Sequence, residues 1–385
     1  MFFVAVGQSE ELDAESVLED LEQQCARQLD GRVPQAGIVF AAIDVEHEAL
    51  LAGLAARWPG LELIGCTTDG ELSSERGFCE DSVSLILFGS DAAKITAGLG
   101  RQVSADIPTA SAAALDQALG KTELPARFCI AVPESLTTSG QQIVAALQGR
   151  LGPDVPLFGG GAADQWRMKG TRQFFGTEVV SDAIPVLVFS GALLSSHAVA
   201  SGWRPLGEPG LVTRASGPFL FEIDGRPPLE FYRRRLGQDA AISPEFPLAV
   251  LDQTGQMQYL RAGWGAPGPE PGSVMYTGDV PQGVQVQIAI ANRDAILEGC
   301  RQAVDSAFNA YPRGKTPEAA LVFSCAARKL LLGTRTSDEA DIVRQTLGAK
   351  VPVCGFYGYG EIGPPSDASA AEYHNETFVF LLMGS

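Results

Sequence analysis

The stretch VPVCGFYGYGEIGP, residues 351–364, decides the fold, because in it an apolar strand runs into a glycine-rich turn. Glycine adopts backbone angles that other residues avoid and lets another group approach the main chain closely. This turn also carries Tyr357, Tyr359 and Glu361. Aromatic rings with a polar tip, placed beside one acid, suit the recognition of a small polar or planar molecule. The turn is therefore a predicted ligand site as well as a structural element.

The same layout occurs twice more, at 61–73 (LELIGCTTDGELS) and at 155–166 (VPLFGGGAADQW). Each turn lies in a β-α-β-α-β-turn-β pattern of about 90–100 residues, which is longer than the period of a solenoid. The predicted lead-in strands and helices are FFVAVG with 14–29, KITAGLG with 106–119 and VQIAIAN with 293–310. The sequence thus predicts an α/β fold of mixed α+β layers, in which duplicated β-α-β-α-β-β units form two packed domains.

The stretch 194–283 departs from this repeat. Its segment AGWGAPGPEPGS (262–273) is rich in glycine and proline, which predicts a loop, and we interpret it as a candidate lid or domain seam. We predict a domain boundary near residue 220, which gives an N-terminal domain of residues 1–220 and a C-terminal domain of residues 221–385.

Composition narrows the function classes. A hydrophobic fraction of 45% and a charged fraction of 19% indicate a folded chain with a large core. The net charge of −18 argues against binding to nucleic acid or to an anionic membrane. The N-terminal MFFVAVG predicts a strand rather than a signal peptide, and no apolar run has the length of a membrane span. Seven cysteines without a CxxC pair favour buried free thiols in a reducing cytoplasm.

Two further segments carry candidate binding residues. In SCAAR, Cys325 and Arg328 follow a predicted strand, at the sheet edge where open α/β folds bind ligands. Arg328 could clamp a carboxylate, although a small core thiol and a surface cation would explain the same residues. In YHNET, His374 and Asn375 could supply hydrogen bonds or a metal contact, although a turn before a strand uses such residues anyway.

Motifs of known chemistry are missing. GGGAAD lacks the GK[ST] tail of a phosphate loop, and three widely separated histidines do not predict a zinc site. No nucleophile–base pair has diagnostic spacing, so the chain is predicted not to be an enzyme. The enzymatic alternative is an unrecognised chemistry with Cys325 or Cys66 as nucleophile and His374 or an acid nearby.

The motifs GCTTDGE, FGGGAAD, GWRPLG, EIDGRPPLEFY, FSCAAR, GFYGYGEIGP and HNETF together resemble the FIST (F-box and intracellular signal transduction) domain family. The resemblance extends from about residue 25 to the end and implies an N-terminal and a C-terminal FIST domain. It implies a sensory protein for small ligands such as amino acids. It also implies, for some members, haem b and nitric oxide sensing with control of a histidine kinase or a cyclic-di-GMP enzyme. Ala327 departs from the family's S-C-x-G-R pattern, which puts a close backbone approach there in doubt.

Three hypotheses follow. In the first, a cytoplasmic sensor regulates a separate partner and binds an amino-acid-like ligand, with Arg328 on its carboxylate and Glu361 on its ammonium group. In the second, haem is bound through His374, or through His47 or His197 as the other imidazoles. The third is the cysteine enzyme. For the first, the predicted ligand-binding residues are Cys325, Arg328, Tyr357, Tyr359, Glu361, His374 and Asn375.

Overall fold

The computed structural model describes residues 1–366 and 369–385, which fold as three similar repeats and one inserted subdomain. The elements of the first repeat are β1 (Phe2–Ser9), α1 (Ala14–Leu29), β2 (Ala36–Ala41), α2 (His47–Arg57), β3 (Glu62–Thr67), β4 (Glu71–Ser73), β5 (Gly77–Cys79) and β6 (Val83–Ser90). The second repeat has the same order: β7 (Ala93–Arg101), α3 (Ile107–Leu119), β8 (Ala126–Ala131), α4 (Gly140–Leu151), β9 (Leu157–Gly160), β10 (Gln173–Phe175), β11 (Glu178–Val180) and β12 (Ala183–Gly191).

The third repeat is interrupted after its first strand, β13 (Leu194–Ala200). The chain then builds the insert, residues 204–290: β14 (Arg204–Ser216), β15 (Phe219–Ile223), α5 (Pro228–Leu236), β16 (Leu248–Leu251), β17 (Met257–Arg261), β18 (Gly263–Pro267), β19 (Val274–Tyr276) and β20 (Gln285–Ile290). It returns with α6 (Arg293–Ala310), β21 (Ala319–Cys325), α7 (Ala326–Leu332), a 3₁₀ turn (Gly333–Arg335), α8 (Ser337–Leu347), β22 (Val353–Gly358), β23 (Glu361–Gly363), β24 (Glu372–His374) and β25 (Phe378–Gly384).

The mixed α/β class and the repeated unit are confirmed, but two local predictions are wrong. VQIAI belongs to β20 of the insert, and the first strand of the third repeat is β13. The error arose because β20 directly precedes α6 in the sequence, whereas the insert separates β13 from it. The predicted loop 262–273 contains strand β18, which pairs with β19 despite its glycines and prolines.

The strands in the described ranges form four sheets. Three sheets share one topology, with orders β1-β6-β2-β3-β10-β11, β7-β12-β8-β9-β23-β24 and β13-β25-β21-β22-β4-β5. In each, four strands of one repeat are extended by a two-stranded hairpin from another. Only the pairs β2–β3, β8–β9 and β21–β22 are parallel among the paired strands described. The insert forms the fourth sheet, β17-β16-β20-β14-β15-β19-β18.

The hairpin of each repeat therefore pairs with the sheet of another repeat, an arrangement we call the hairpin exchange. The hairpin β4–β5 extends the sheet of the third repeat, β10–β11 that of the first and β23–β24 that of the second. The hairpins begin with Glu71, Gln173 and Glu361, which occupy equivalent positions. The exchange joins all three repeats into one body.

The three shared-topology sheets pack around a common apolar core. Phe40 meets Phe356 of the third repeat with ring centroids 4.5 Å apart, and Phe128 stacks on Phe189 at 4.5 Å. Helices cover the outer faces: α1 and α2 on the first sheet, α3 and α4 on the second, α6 and α8 on the third. Strands buried on both faces read as continuous apolar runs, as these do. Among the described helices, none has the length and apolarity needed to cross a membrane.

Candidate functional site

The turns that precede the exchanged hairpins interlock through backbone hydrogen bonds. The amide of Asp69 donates to the carbonyl of Tyr357 (2.8 Å), and the amide of Tyr359 donates to the carbonyl of Gly161 (3.1 Å). The amide of Ala163 donates to the carbonyl of Thr67 (2.8 Å). All three repeats thus contribute main chain to one small region, which the sequence marked as a turn repeated three times.

Two glycines of the tyrosine turn are required for packing. Gly360 has φ of 108°, a left-handed conformation, and a Cβ atom there would overlap the Tyr373 ring. A Cβ on Gly358 would lie 2.5 Å from the carbonyl oxygen of Gly161. Gly360 therefore accommodates the Tyr373 ring of its own repeat and Gly358 the backbone of the second repeat, rather than leaving space for a ligand as the sequence suggested.

A small cavity lies beside this turn, and we call it the aromatic cavity. Its lining includes Trp166, Trp264, Thr277, Cys325, Tyr359 and Asn375. The ring centroids of the two tryptophans are 5.0 Å apart, and each is 5.7 Å from that of Tyr359. The cavity has a volume of about 20 Å³, which is room for about one water molecule. A larger ligand requires one wall to move.

An open groove of about 580 Å³ leads to the aromatic cavity and shares Trp264, Thr277 and Tyr359 with it. Its other walls come from the Ser135–Ser139 loop of the second repeat and from β19 of the insert. The indole N–H of Trp264 is buried and, among the described residues, has no hydrogen-bond acceptor. Trp264 therefore stands between the groove and the cavity, with an unused donor.

Two carboxyl groups, Glu361 and Glu376, are buried next in sequence to cavity-lining residues. One oxygen of Glu361 accepts hydrogen bonds from the amide (3.0 Å) and hydroxyl (2.8 Å) of Thr377. Within the described residues, the other oxygen of Glu361 and both oxygens of Glu376 have no donor. Burial raises the pKa of Glu361 to about 8 and raises that of Glu376, which Glu361 raises further. Burial, then Glu361 and Glu376, also raise the pKa of the Cys325 thiol.

The equivalent acid of the first repeat is fully hydrogen-bonded, whereas the equivalent residue of the second repeat is not. Glu71 is fully buried, but its two oxygens accept hydrogen bonds from Thr68 and from the Ser82 hydroxyl (2.5 Å). In the second repeat the position is Gln173, whose amide nitrogen donates to the hydroxyl of Thr171 (2.9 Å), while its amide oxygen has no donor among the described residues. At this hairpin position, the third repeat thus differs from the first in leaving an ionisable oxygen unpaired.

Arg328 and Tyr357 lie in a separate buried network around Glu339. Arg328 Nη2 is 2.6 Å from one oxygen of Glu339, and the Tyr357 hydroxyl donates to the other (2.7 Å). Arg328 also donates to the carbonyls of Ser201 (2.5 Å) and Ile296 (2.9 Å). This network ties α7 to α6, α8 and the segment after β13, and neither side chain lines the aromatic cavity.

His374 and Asn375 face different surroundings. The side-chain oxygen of Asn375 accepts from the Thr277 hydroxyl (2.7 Å) and the Ala262 amide (3.3 Å), so Asn375 joins the insert to the third repeat at the cavity wall. His374 Nε2 lies 2.8 Å from the carbonyl of Gly363, and burial lowers its pKa to about 4. His374 borders a second groove, of about 660 Å³, between the insert and α6.

The residues around His374 do not fit a haem. Its Nε2 is engaged by Gly363, and the groove beside it is lined by Asp294, Glu298 and Gln302 rather than by an apolar slot. His47 Nε2 is held 2.9 Å from the carbonyl of Ala42. Among the described residues, no group of three His, Cys, Asp or Glu side chains is arranged to hold a metal ion.

Of the seven predicted ligand-binding residues, the structure brings Cys325, Tyr359 and Asn375 to the aromatic cavity, with Glu361 behind them. Sequence reasoning missed Trp264 and Glu376. Trp264 lies in the segment 262–273, which the sequence predicts as a loop and candidate lid or domain seam, and its aromatic ring is the signal that could have identified it. Glu376 directly follows His374 and Asn375 in the HNET segment, and a carboxylate beside two candidate binding residues is the signal that could have identified it.

Comparison with protein-family models finds the FIST N domain at residues 35–226 and the FIST C domain at residues 228–364. An uncharacterised protein of Mycobacterium tuberculosis is 25% identical over 95% of this chain and 96% of its own length. An uncharacterised protein of Methanocaldococcus jannaschii is 25% identical over 52% of this chain and 41% of its own length. The predicted domain boundary near residue 220 falls within β15 of the insert and stays a prediction.

Two similar solved structures are both described as cyanuric acid hydrolases. One, described as an innovation by structural concatenation, has a TM-score of 0.39 and 10% identity, covering 100% of this chain and 99% of its own. The other, from A. caulinodans, has a TM-score of 0.37 and 8% identity with the same coverage. The prediction that the chain is not an enzyme is corrected by these neighbours, and we withdraw it. Similarity at this level assigns neither a reaction nor a substrate.

Proposed function

Because the chain belongs to the FIST family, whose domains indicate a role in sensing or signal transduction, we propose that it binds a small polar ligand in the aromatic cavity. We further propose that ligand binding is passed to a separate partner protein, for which the family resemblance offers a histidine kinase or a cyclic-di-GMP enzyme. We propose a ligand of amino-acid size, which the groove can admit and which the cavity can hold once one wall has moved.

The position of Trp264 carries this proposal. It belongs to the insert, yet its ring packs on Tyr359 of the third repeat and Trp166 of the second. A ligand that enters the cavity from the groove must displace this ring or stack against it. Either change would move Trp264 and with it β18. The position of the insert would then differ between the free and the ligand-bound protein, and a partner protein could recognise that difference.

The cavity also offers the polar groups that a small ligand needs. The unused indole N–H of Trp264 can donate to an acceptor on the ligand, while Asn375 and Tyr359 give the polar part of the wall. Arg328 is left out of this site, because its guanidinium is engaged by Glu339 and by backbone carbonyls.

Thermal unfolding with a panel of the amino acids and small polar metabolites tests the proposal. A ligand at 100 times its Kd adds about 2.7 kcal/mol to the stability, which raises Tm by several degrees. We expect at least one compound to do so in the wild type, and Trp264→Ala to abolish its effect. Trp58→Phe, at the end of α2, is the matched control and should keep the full shift.

Two outcomes would count against the proposal. In one, no compound of the panel raises Tm or changes the tryptophan fluorescence. In the other, a compound stabilises the wild type and Trp264→Ala equally, which moves its site away from the aromatic cavity. Trp264→Phe keeps an aromatic ring, so it separates loss of the ring from loss of the indole N–H.

A further inference from the structure

We propose that the ligand of the aromatic cavity is an organic cation, a small amine whose ammonium group is neutralised by Glu361 and Glu376. This inference rests on the proposed function and names its ligand class. Glu376 is the central residue, because it is 0% exposed and, in the described part of the chain, neither of its oxygens has a hydrogen-bond donor. Buried carboxyl groups in native proteins are almost always hydrogen-bonded or paired with a charge.

Among the described residues, the cation that acts on this pair is not free to neutralise it. Arg328 is close enough to lower the pKa of both carboxyl groups, but its N–H groups donate to Glu339, Ser201 and Ile296. A positive group brought by a ligand would supply the missing partner. In the ligand-free protein the raised pKa of the two acids allows a proton to take its place.

The fold itself does not demand open acceptors at this position. Glu71, the equivalent of Glu361 in the first repeat, has both oxygens hydrogen-bonded. Gln173, the equivalent in the second repeat, cannot ionise, although its amide oxygen also lacks a donor among the described residues. Glu376 also has φ of 61°, a left-handed conformation that is unfavourable for a residue with a side chain. Strain of this kind, kept beside a cavity, favours a function for the residue that bears it.

The cavity walls match an ammonium group. Trp166, Trp264 and Tyr359 surround the space with aromatic rings, whose faces attract organic cations. The described residues that line the cavity and the groove include no lysine or arginine. A carboxylate on the ligand therefore has no cation to meet there, which favours a simple amine over a zwitterion. Neither acid lines the cavity, but each is next in sequence to a lining residue, and both act electrostatically on the Cys325 thiol in its wall. An ammonium group that displaces this wall would meet them.

Calorimetric titration with four probes of matched size tests the inference: n-butylamine, tetramethylammonium, 1-butanol and butyrate. We expect n-butylamine to bind at least tenfold more tightly than 1-butanol, and butyrate to bind no better than 1-butanol. Because binding replaces a proton on the acid pair, titrations in buffers of different ionisation enthalpy should detect proton release at pH 7. Glu376→Gln should weaken amine binding at least tenfold and abolish that release.

Glu71→Gln is the matched control, since the second repeat already has glutamine at the equivalent position and the residue lies outside the cavity lining. It should bind n-butylamine as the wild type does. Equal affinity for n-butylamine and 1-butanol would overturn the inference, as would unchanged amine affinity in Glu376→Gln or no heat with either cation. The proton-release measurement needs only the wild type, so it decides the question even where Glu376→Gln does not fold.

The two proposals fail in different ways. If a neutral or acidic compound stabilises the wild type but not Trp264→Ala, ligand binding in the aromatic cavity is supported and the proposal of an amine ligand is rejected. If an amine binds equally to Trp264→Ala and the wild type, but not to Glu376→Gln, the acid pair is supported as a cation site. The proposal that the aromatic cavity binds the ligand is then rejected.

Discussion

Arg328 shows how a residue that looks functional in a sequence can belong to the fold. It follows a strand, as binding residues do, but it is fully buried and paired with Glu339. Removing one partner of a buried pair leaves the other charge without compensation. Its neighbours Tyr357 and Ser324 also donate to Glu339, so the loss would extend to them.

We therefore expect Arg328→Met to lower the free energy of unfolding by about 3–5 kcal/mol. The Arg328→Met/Glu339→Met double variant should recover part of that loss, because no lone charge remains. Urea unfolding followed by circular dichroism measures both. Arg335→Ala, which breaks exposed pairs with Asp294 and Asp338, is the control and should cost about 0–1 kcal/mol. A similar small cost for Arg328→Met would contradict the structural role.

A second prediction at this scale concerns Gly360. Alanine there would combine an unfavourable φ with overlap of Tyr373, so Gly360→Ala should cost at least about 1–3 kcal/mol. Gly149 lies in α4 with open space around it, and Gly149→Ala should stabilise the protein by about 0.5–1 kcal/mol. Melting temperatures of the two variants should thus move in opposite directions. If Gly360→Ala melts like the wild type, the tyrosine turn is looser than described.

The sequence allowed the repeat, most strand positions and the tyrosine turn to be predicted, because these depend on local apolar runs and glycines. It did not allow the role of Arg328 or Trp264 to be predicted, since both depend on partners far away in the chain. Arg328 contacts Ser201 across the whole insert, and Trp264 contacts Trp166 of another repeat. The hairpin exchange could not be predicted from the sequence either, because it also depends on strands that are far apart in the chain.

At the scale of elements, the first residues of the exchanged hairpins make stability depend on pH. Burial raises the pKa of Glu71 and Glu361 to about 8, from an ordinary value of 4.5. The folded state thus holds these protons more tightly than the unfolded state does. Their contribution to stability is complete below about pH 4.5 and is lost as the pH rises towards 8.

We expect Glu71→Gln, which cannot ionise, to lose less stability between pH 5 and pH 8 than the wild type loses. The difference between the two proteins isolates Glu71 from every other titrating group. Urea midpoints at four or five pH values across this range provide the measurement. Parallel curves for the two proteins would show that Glu71 is ionised in the folded state.

At the scale of the whole molecule, the hairpin exchange makes the repeats mutually dependent. Residues 1–220 alone would lack β23 and β24, which cover the edge at β9, and their own β4–β5 hairpin would lack its partner β22. Uncovered strand edges invite association with other chains. Residues 1–220 therefore cannot complete their sheets without the rest of the chain.

We expect residues 1–220, expressed alone, to aggregate or to melt without cooperativity, and co-expression with residues 221–385 to restore a soluble complex. Size-exclusion chromatography and thermal unfolding of the two preparations provide the measurement, with the full chain as reference. A monomeric 1–220 fragment with a sharp melting transition would contradict the dependence of the repeats on one another.

The hairpin exchange also bears on how the protein is made. The ribosome releases the chain from its N-terminus, and domains usually fold in that order as they emerge. Here β13 pairs with β25, which ends at Gly384, so this pairing cannot form until β25 has been synthesised. The sheet of the second repeat likewise cannot be completed before β23 and β24 have been synthesised. A nascent chain can therefore complete its first sheet once β10 and β11 have left the ribosome. It cannot complete the other two sheets at that stage. The second and third sheets can therefore be completed only after the strands from β23 to β25 have been synthesised, and until then their unpaired edges are open to association with other chains.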